Sequence, residues 1–213
     1  MIFHKQAISP DFQKLALDWI LAQSDSPSAG LEPEFDIGDD KLRYAKKIRN
    51  ISNHAPQFWQ AWSYGSGLTK IVSQYLDNPR LLRHAAFIKR HADESFIPLH
   101  QDIALWEKPF NTAWTFWVAL TPAFKENGGM FYLPDTDVVY PHEFDLNYPM
   151  FKCIDLEKNQ ISQEELKDVS LQAGDILVWP AKTPHGSYMN ISGQLRIGMP
   201  IVFVEENEYQ KLM

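Results

Sequence analysis

Apolar positions recur at helical spacing mainly in the first third of the chain. Phe12, Leu15, Leu17, Trp19, Ile20 and Leu21 form a broad stripe. Ser9-Pro10-Asp11 ahead of it puts proline where a first helical turn tolerates it. This pattern predicts a helix over about Asp11–Gln23. Ala55–Trp62 and Ser66–Leu76 predict two more, the second stopped at Asp77-Asn78-Pro79. Ser24–Asp40 is rich in Ser, Pro, Gly and acids and predicts an exposed loop. From Leu81 the texture changes. Leu82–Lys89, Thr112–Leu120, Met130–Leu133, Asp175–Trp179 and Leu195–Val204 are rich in β-formers. Turn signals at Asn127-Gly128-Gly129, Ala173-Gly174-Asp175 and Ser192-Gly193 separate them. Too few helical stretches follow Leu81 for alternating βαβ units. Helices first and many short strands after them predict a mainly β sandwich or barrel with N-terminal helices.

No repeat or linker divides the 213 residues, so the expectation is one domain. Residues 1–80 would be mainly helical padding and 81–213 the β core. The stretch Pro134–Ser170 interrupts the strands, with mixed polarity and one short helical candidate at Ser162–Lys167. A long insertion of this kind predicts a lid over a site.

Composition narrows the classes. The chain is 45% hydrophobic and long enough to bury a core without staples. Its one cysteine, Cys153, has no internal disulfide partner, so a reduced, cytoplasmic setting is expected. No apolar run is long enough to span a bilayer, and Met1–Gln13 has no signal-like apolar stretch. A net charge of -7 argues against nucleic acid as a partner and leaves a small molecule as the expected one. One basic cluster runs against the overall sign: Lys41, Arg43, Lys46, Lys47 and Arg49. It is either a solvated face or a contact for an anionic substrate group.

Three features carry chemistry. His100-Gln101-Asp102 would put an imidazole and a carboxylate on one face of a strand. A rival pair, His91 and Asp93, sits in a polar run that reads as a turn. His185, in Thr183-Pro184-His185-Gly186-Ser187, is the second feature. Two His and one carboxylate leave metal positions open, as in non-haem Fe(II) oxygenases, and Zn hydrolases use three protein ligands too. The third is Arg196, eleven residues after His185 and set among Leu195, Ile197, Met199 and Ile201. An Arg fork suits a carboxylate of a dicarboxylate cosubstrate. If Tyr188–Gln194 turns between antiparallel strands, Arg196 returns beside His185.

These segments resemble one family. His100-Gln101-Asp102, Asn127-Gly128-Gly129-Met130-Phe131-Tyr132-Leu133-Pro134, Leu171-Gln172-Ala173-Gly174-Asp175 and His185-Gly186-Ser187 with Asn190, Ser192 and Arg196 are similar to phytanoyl-CoA dioxygenases. Ile48-Arg49-Asn50-Ile51 and Phe87-Ile88-Lys89 fit as well, and the likeness runs from about Leu42 to Phe203. The resemblance implies a double-stranded β-helix, a cupin-like jelly roll. It implies Fe(II), 2-oxoglutarate and O2 as cofactors, with succinate and CO2 released as a small organic molecule is hydroxylated. His100, Asp102 and His185 match the iron ligands. Arg196 matches the residue that pairs with the distal carboxylate of 2-oxoglutarate, and Ser187 a position that supports it. Thr115 and Trp117 match the strand beside the cosubstrate pocket, and Lys89 a position near the site. Asn127 and Gly128 match a structural turn. Related halogenases replace the carboxylate ligand by a small residue; Asp102 keeps it, which implies a hydroxylase. The competing readings are a cupin-type metal enzyme without 2-oxoglutarate and a jelly roll that binds without turnover.

The lid expectation bears on the substrate. Residues 134–170 hold nine acids and three lysines, with Tyr140, Phe144, Tyr148 and Phe151 among them. That composition suits a neutral or cationic molecule with apolar surface. His142 reads as a loop residue near substrate, and Cys153 lacks the His pattern of a nucleophile.

Overall fold

A computed structural model describes residues 1–28, 31–37, 43–91, 95–106, 110–145 and 148–212. The chain begins with β1 (Ile2–His4), α1 (Pro10–Asp25), β2 (Glu32–Ile37) and β3 (Arg43–Arg49), then α2 (Ile51–His54), α3 (Pro56–Gly65) and α4 (Leu68–Val72). Strands β4 (Pro79–His84), β5 (Ala86–Lys89) and β6 (Ile97–His100) lead to the one-turn α5 (Asp102–Leu105), then β7 (Trp114–Ala119) and β8 (Met130–Tyr132). After β9 (Glu143–Asp145), β10 (Tyr148–Cys153) and β11 (Lys167–Asp168), the chain closes with β12 (Ile176–Pro180), β13 (His185–Ser187), β14 (Arg196–Glu205) and α6 (Glu206–Tyr209).

The strands form two antiparallel sheets and a separate β9–β10 hairpin. The major sheet has the order β1-β12-β7-β14-β5-β3-β2, with β4 also paired to β14; the minor sheet has the order β11-β8-β13-β6. Period-two alternation assigns the two faces of the major sheet. Phe116, Val118, Ile176, Val178, Ile88, Ile197, Met199 and Ile201 pack outward on Ile20, Trp59, Trp62 and Leu68 of the helices. The intervening residues Thr115, Trp117, Leu177, Trp179, Lys89, Arg196, Gly198 and Val202 therefore face the interior of the roll. The N-terminal helices are a second layer on the outer face, which leaves the inner face for chemistry.

The structure departs from the expected loop at Ser24–Asp40. Glu32–Ile37 is a strand, paired with Arg43–Arg49 from Glu32↔Arg49 to Ile37↔Arg43. Pro33 and the interspersed acids hide its alternation, yet both are tolerated on an edge strand. The basic cluster correspondingly lies on a sheet strand, with Ala45 and Ile48 in the core; Lys41 lies outside the described residues. Residues 1–80 thus contribute sheet strands as well as helices. The expected strand Leu82–Lys89 is two strands, because β4 pairs with Ile201–Glu205 of β14 and β5 with Arg196–Gly198.

One buried group on β4, packed against the helical layer, titrates unusually. His84 has Ser52 Oγ 2.5 Å from Nδ1 and lies edge-on to Trp59 at 4.7 Å. Burial pushes its pKa down to about 3. The folded value lies below the unfolded one, so as pH falls through about 6.5 the unfolded chain takes up a proton that native His84 refuses. Its contribution to stability is complete above that pH and shrinks down to about pH 3. Between pH 6.5 and 4.5 the loss is about 2 kcal/mol. Urea unfolding over that range should show a pH slope about one proton smaller in His84→Phe. An unchanged slope would contradict this assignment.

Candidate metal centre

His185 begins β13 and lies directly across from His100, the last residue of β6. Asp102, two residues on, opens α5. Ligand atoms of the three all lie within 4.8 Å of one another, and the imidazole centroids are 4.3 Å apart. His100 Nε2 is 3.8 Å from Asp102 Oδ1. Both imidazoles are fixed in the same way: His100 Nδ1 lies 2.9 Å from the Pro98 carbonyl and His185 Nδ1 lies 2.9 Å from that of Thr183. A carbonyl only accepts, so each Nδ1 carries the proton and each Nε2 keeps its lone pair for a metal.

Charge agrees with that assignment. Burial alone would raise the Asp102 pKa. The neighbouring His185 and His100 and a hydrogen bond from Thr115 overcome it and hold the carboxyl well below the usual carboxylate range. Burial, with His100 beside it and against the pull of Asp102, brings His185 down to about 4. At neutral pH the trio therefore contains an ionised carboxylate and a neutral His185, the forms that bind divalent metal. Two nitrogens and one oxygen with open positions fit Fe(II).

A second cluster lies further into the roll. Lys89 and Arg196 are opposed across β5 and β14, and both are buried at 2–3% exposure. Lys89 Nζ donates to Ser187 Oγ at 3.0 Å, to the Ser95 carbonyl at 2.9 Å and to the Tyr188 carbonyl. Ser187 is two residues from His185 on the same strand, about 6.6 Å along it, so Lys89 and Ser187 connect the cation pair to the triad. The Arg196 guanidinium lies 5.0 Å from the Trp117 ring centroid. A Cβ on Gly198 would fall 1.8 Å from Trp117, so glycine is what admits that indole. Gly128, at φ +85°, likewise leaves room for Lys89, whose Cδ lies 2.6 Å from where a Cβ would be.

Tyr188–Gln194 is not a simple turn that pairs the strand of His185 with that of Arg196. β13 and β14 belong to different sheets, and the intervening loop crosses between them. Asn190 shapes that crossing, donating to the carbonyls of Lys89 and Gln194 and accepting from Ser192. Thr115 reaches the His–Asp–His cluster itself, donating to Asp102 Oδ2 at 3.1 Å. Asn127 holds its turn, accepting from Phe124 N and donating to the Pro122 carbonyl. His91 lies in a turn against the Ser192 carbonyl; Asp93 is outside the described residues.

Sequence reasoning missed Gln101. It lies between His100 and Asp102 yet is fully buried. Its amide donates to the carbonyls of Val138 (2.7 Å) and Lys182 (2.5 Å), and its Oε1 accepts from Tyr140 N at 2.8 Å. His142 Nε2 accepts from Gln101 N, and His142 Nδ1 donates to the Tyr140 carbonyl. The strand alternation that turns His100 inward turns Gln101 toward residues 138–142, which it clamps to the metal motif. A polar side chain between two ligands, on the face away from the metal, is the signal that could have found it. Gln101→Leu should raise hydrogen exchange across 138–142 while the triad still binds metal. Unchanged exchange there would show that the clamp does not hold the segment.

The phytanoyl-CoA dioxygenase (PhyH) profile matches residues 12–198. The chain belongs to the phytanoyl-CoA dioxygenase family. Solved structures agree in fold. EvdO2 of Micromonospora carbonacea var. aurantiaca, complexed with 2-oxoglutarate, matches at TM-score 0.72 and 22% or less identity: 21%, over 94% of this chain and 84% of that one. A second EvdO2 structure matches over 74% of this chain and 65% of its own length. EctD from S. alaskensis, with 2-oxoglutarate and 5-hydroxyectoine, matches at TM-score 0.77 and 15% identity, over 97% and 72%. The carbocyclase SnoK from nogalamycin biosynthesis matches at TM-score 0.69 and 16% identity, over 100% and 85%. No curated protein sequence matches the chain. This PhyH protein is thus an Fe(II)- and 2-oxoglutarate-dependent oxygenase on a jelly-roll core, with O2 as the third reactant. No helix among the described residues is long and apolar enough to cross a membrane.

Proposed function

We propose that this PhyH protein hydroxylates a small organic molecule, converting R–H, 2-oxoglutarate and O2 into R–OH, succinate and CO2. One observation carries the reading: two imidazoles with both Nδ1 atoms committed to carbonyls stand beside a low-pKa carboxylate. His100, Asp102 and His185 would hold the iron. Iron, when bound, supplies O2 activation and the oxidation that splits 2-oxoglutarate. The chain's own residues do the positioning. Thr115 orients Asp102, and the Pro98 and Thr183 carbonyls orient the imidazoles. Arg196 would take the distal carboxylate of 2-oxoglutarate, with Lys89 and Ser187 next to it and Trp117 beneath the guanidinium. Trp179 and Phe151 pack on the two imidazoles at 4.8 and 4.9 Å and limit water there. Residues 134–145 and 148–166 act as the lid, held at one point by Gln101.

The test is succinate formation, followed by NMR, in protein supplied with Fe(II), 2-oxoglutarate and O2. Succinate should appear, and omission of any one component should abolish it. With a candidate substrate present, oxygen-18 from O2 should enter the product as a hydroxyl group. Succinate formation with a dehydrogenated or cyclised product lacking that oxygen would overturn the hydroxylase assignment alone.

A further inference from the structure

From the sheet register we infer that the substrate carries a carboxylate or phosphate group, held by Arg83 and Lys47 on the inner face of the major sheet beside the metal centre. This rests on the oxygenase reading above and names the substrate class of that same site.

The argument begins with β14. Ile197, Met199 and Ile201 face the helices, so Val202 faces inward, where it packs with Ile103 and Val204. Val202 lies opposite Thr115 on one side and Arg83 on the other. Thr115 is the residue bonded to Asp102. Arg83 is thus two strand spacings, roughly 10 Å across the sheet, from that hydroxyl. A second contact brings it closer: its guanidinium lies 5.8 Å from the ring of Trp106, the residue that caps the short helix opened by Asp102. Lys47 reaches the same face from β3. Its neighbour Ile48 is in the outer core, Lys47 lies opposite Phe87, and Nζ is 4.6 Å from the Phe87 ring centroid. Phe87 in turn lies opposite Gly198. Lys47 and Arg83 thus flank aromatic surface on the strip of sheet next to the metal ligands.

The electrostatics agree with an anionic guest. Lys47 is pushed down to about 8, first by burial, then by Arg83 and Lys46, against the pull of Asp102. Burial and Arg49 likewise lower Arg83, with Asp102 opposing. Arg83 makes no ion pair among the described residues, and part of its side chain stays open to solvent although the rest is desolvated. A bound Fe(II) outweighs the single Asp102 carboxylate, while the two charges of 2-oxoglutarate match Arg196 and Lys89. Arg83 and Lys47 repel one another and face a centre that is itself positive when loaded, and an anionic guest relieves that repulsion.

The acids of residues 134–170 do not reverse this. Glu143 pairs with Lys158, Asp168 with Lys125 and the Tyr188 hydroxyl, Asp155 accepts from Lys158 N, and Glu165 accepts from Ser162 N. These four of the nine acids are engaged along the surface of the segment. The sequence-based preference for a neutral or cationic substrate rested on all nine acids, and the probe series below decides between it and an anionic one.

The experiment uses the full chain with Fe(II) and saturating 2-oxoglutarate, without oxygen, so that the cosubstrate site is filled. Four probes are titrated by ligand-observed NMR: 3-phenylpropionate, 3-phenylpropyl phosphate, 3-phenylpropionamide and 3-phenylpropylamine. At least one anion should bind tenfold or more tightly than the amide and the amine, and the better anion tells carboxylate from phosphate. Arg83→Met and Lys47→Met should each weaken it several-fold, the double variant should remove the preference, and Arg83→Lys should retain much of it. Apparent 2-oxoglutarate affinity should stay within twofold in all four proteins, showing that they are folded. Equal binding of the amide, tighter binding of the amine, no binding of any probe, or a preference that survives the double variant would overturn the inference. Failure of the oxygenase reading shows separately, as wild-type protein that does not bind 2-oxoglutarate before any probe is added.

Discussion

Asp102→Ala is expected to abolish 2-oxoglutarate-dependent succinate formation while leaving the protein folded. Losing an outer-shell partner of a metal ligand lowers affinity or activity by about 10–100-fold, and losing the ligand itself should exceed that. The carboxylate is bound by Thr115 and lies beside two imidazoles, so it is pre-set as the anionic member of the trio. Its removal from the metal-free fold forfeits one hydrogen bond, about 1 kcal/mol, together with the interactions with the imidazoles that hold its pKa down. Thermal unfolding should therefore shift down modestly while metal binding collapses. His185→Ala should behave alike, since His185 Nε2 has no substitute on β13. Wild-type turnover in Asp102→Ala would remove these three residues as the iron site.

The second large effect is expected at Arg196. Arg196→Met keeps an unbranched stem but deletes the guanidinium that lies over Trp117. A hydrogen bond to a charged group is worth about 1.5–3 kcal/mol, so 2-oxoglutarate affinity should fall about 10–100-fold. The rate at saturating cosubstrate should fall much less, because the guanidinium would hold the end of 2-oxoglutarate remote from the reacting carbons. Arg196→Lys should recover part of the loss, but a point charge does not reproduce a planar fork. Isothermal titration against 2-oxoglutarate without oxygen measures this directly. Unaltered affinity in Arg196→Met would shift the anchor to Lys89, its cross-strand neighbour.

The strands of the roll were legible because their alternation is strong. Trp114–Ala119 and Arg196–Glu205 place apolar residues on the helix side and Thr115, Trp117, Arg196 and Val202 on the other. The triad was legible as residue types at recognisable spacing. What escaped were features of pairing between distant segments. Glu32–Ile37 has the composition of a loop and becomes a strand only because Arg43–Arg49 lies against it. Arg196 stands eleven residues from His185, and nothing local says that the chain changes sheets between them. Gln101 was passed over because its partners, Val138, Tyr140, His142 and Lys182, are 37 to 81 residues away. The basic residues of β3 were visible as a cluster, but their inward side was decided by Ile48 and by β4, which contributes Arg83.

The central claim is that His100, Asp102 and His185 bind Fe(II) in a site where 2-oxoglutarate, anchored by Arg196, joins the metal. Anaerobic titration of Fe(II)-loaded protein with 2-oxoglutarate tests it most directly, by the weak visible charge-transfer absorption that chelation of the metal by the cosubstrate produces. The band should saturate in the wild type, require about 10–100-fold more 2-oxoglutarate in Arg196→Met, and be absent from Asp102→Ala. Iron that binds to the wild type without any such band would contradict the account and favour a metal enzyme that works without 2-oxoglutarate.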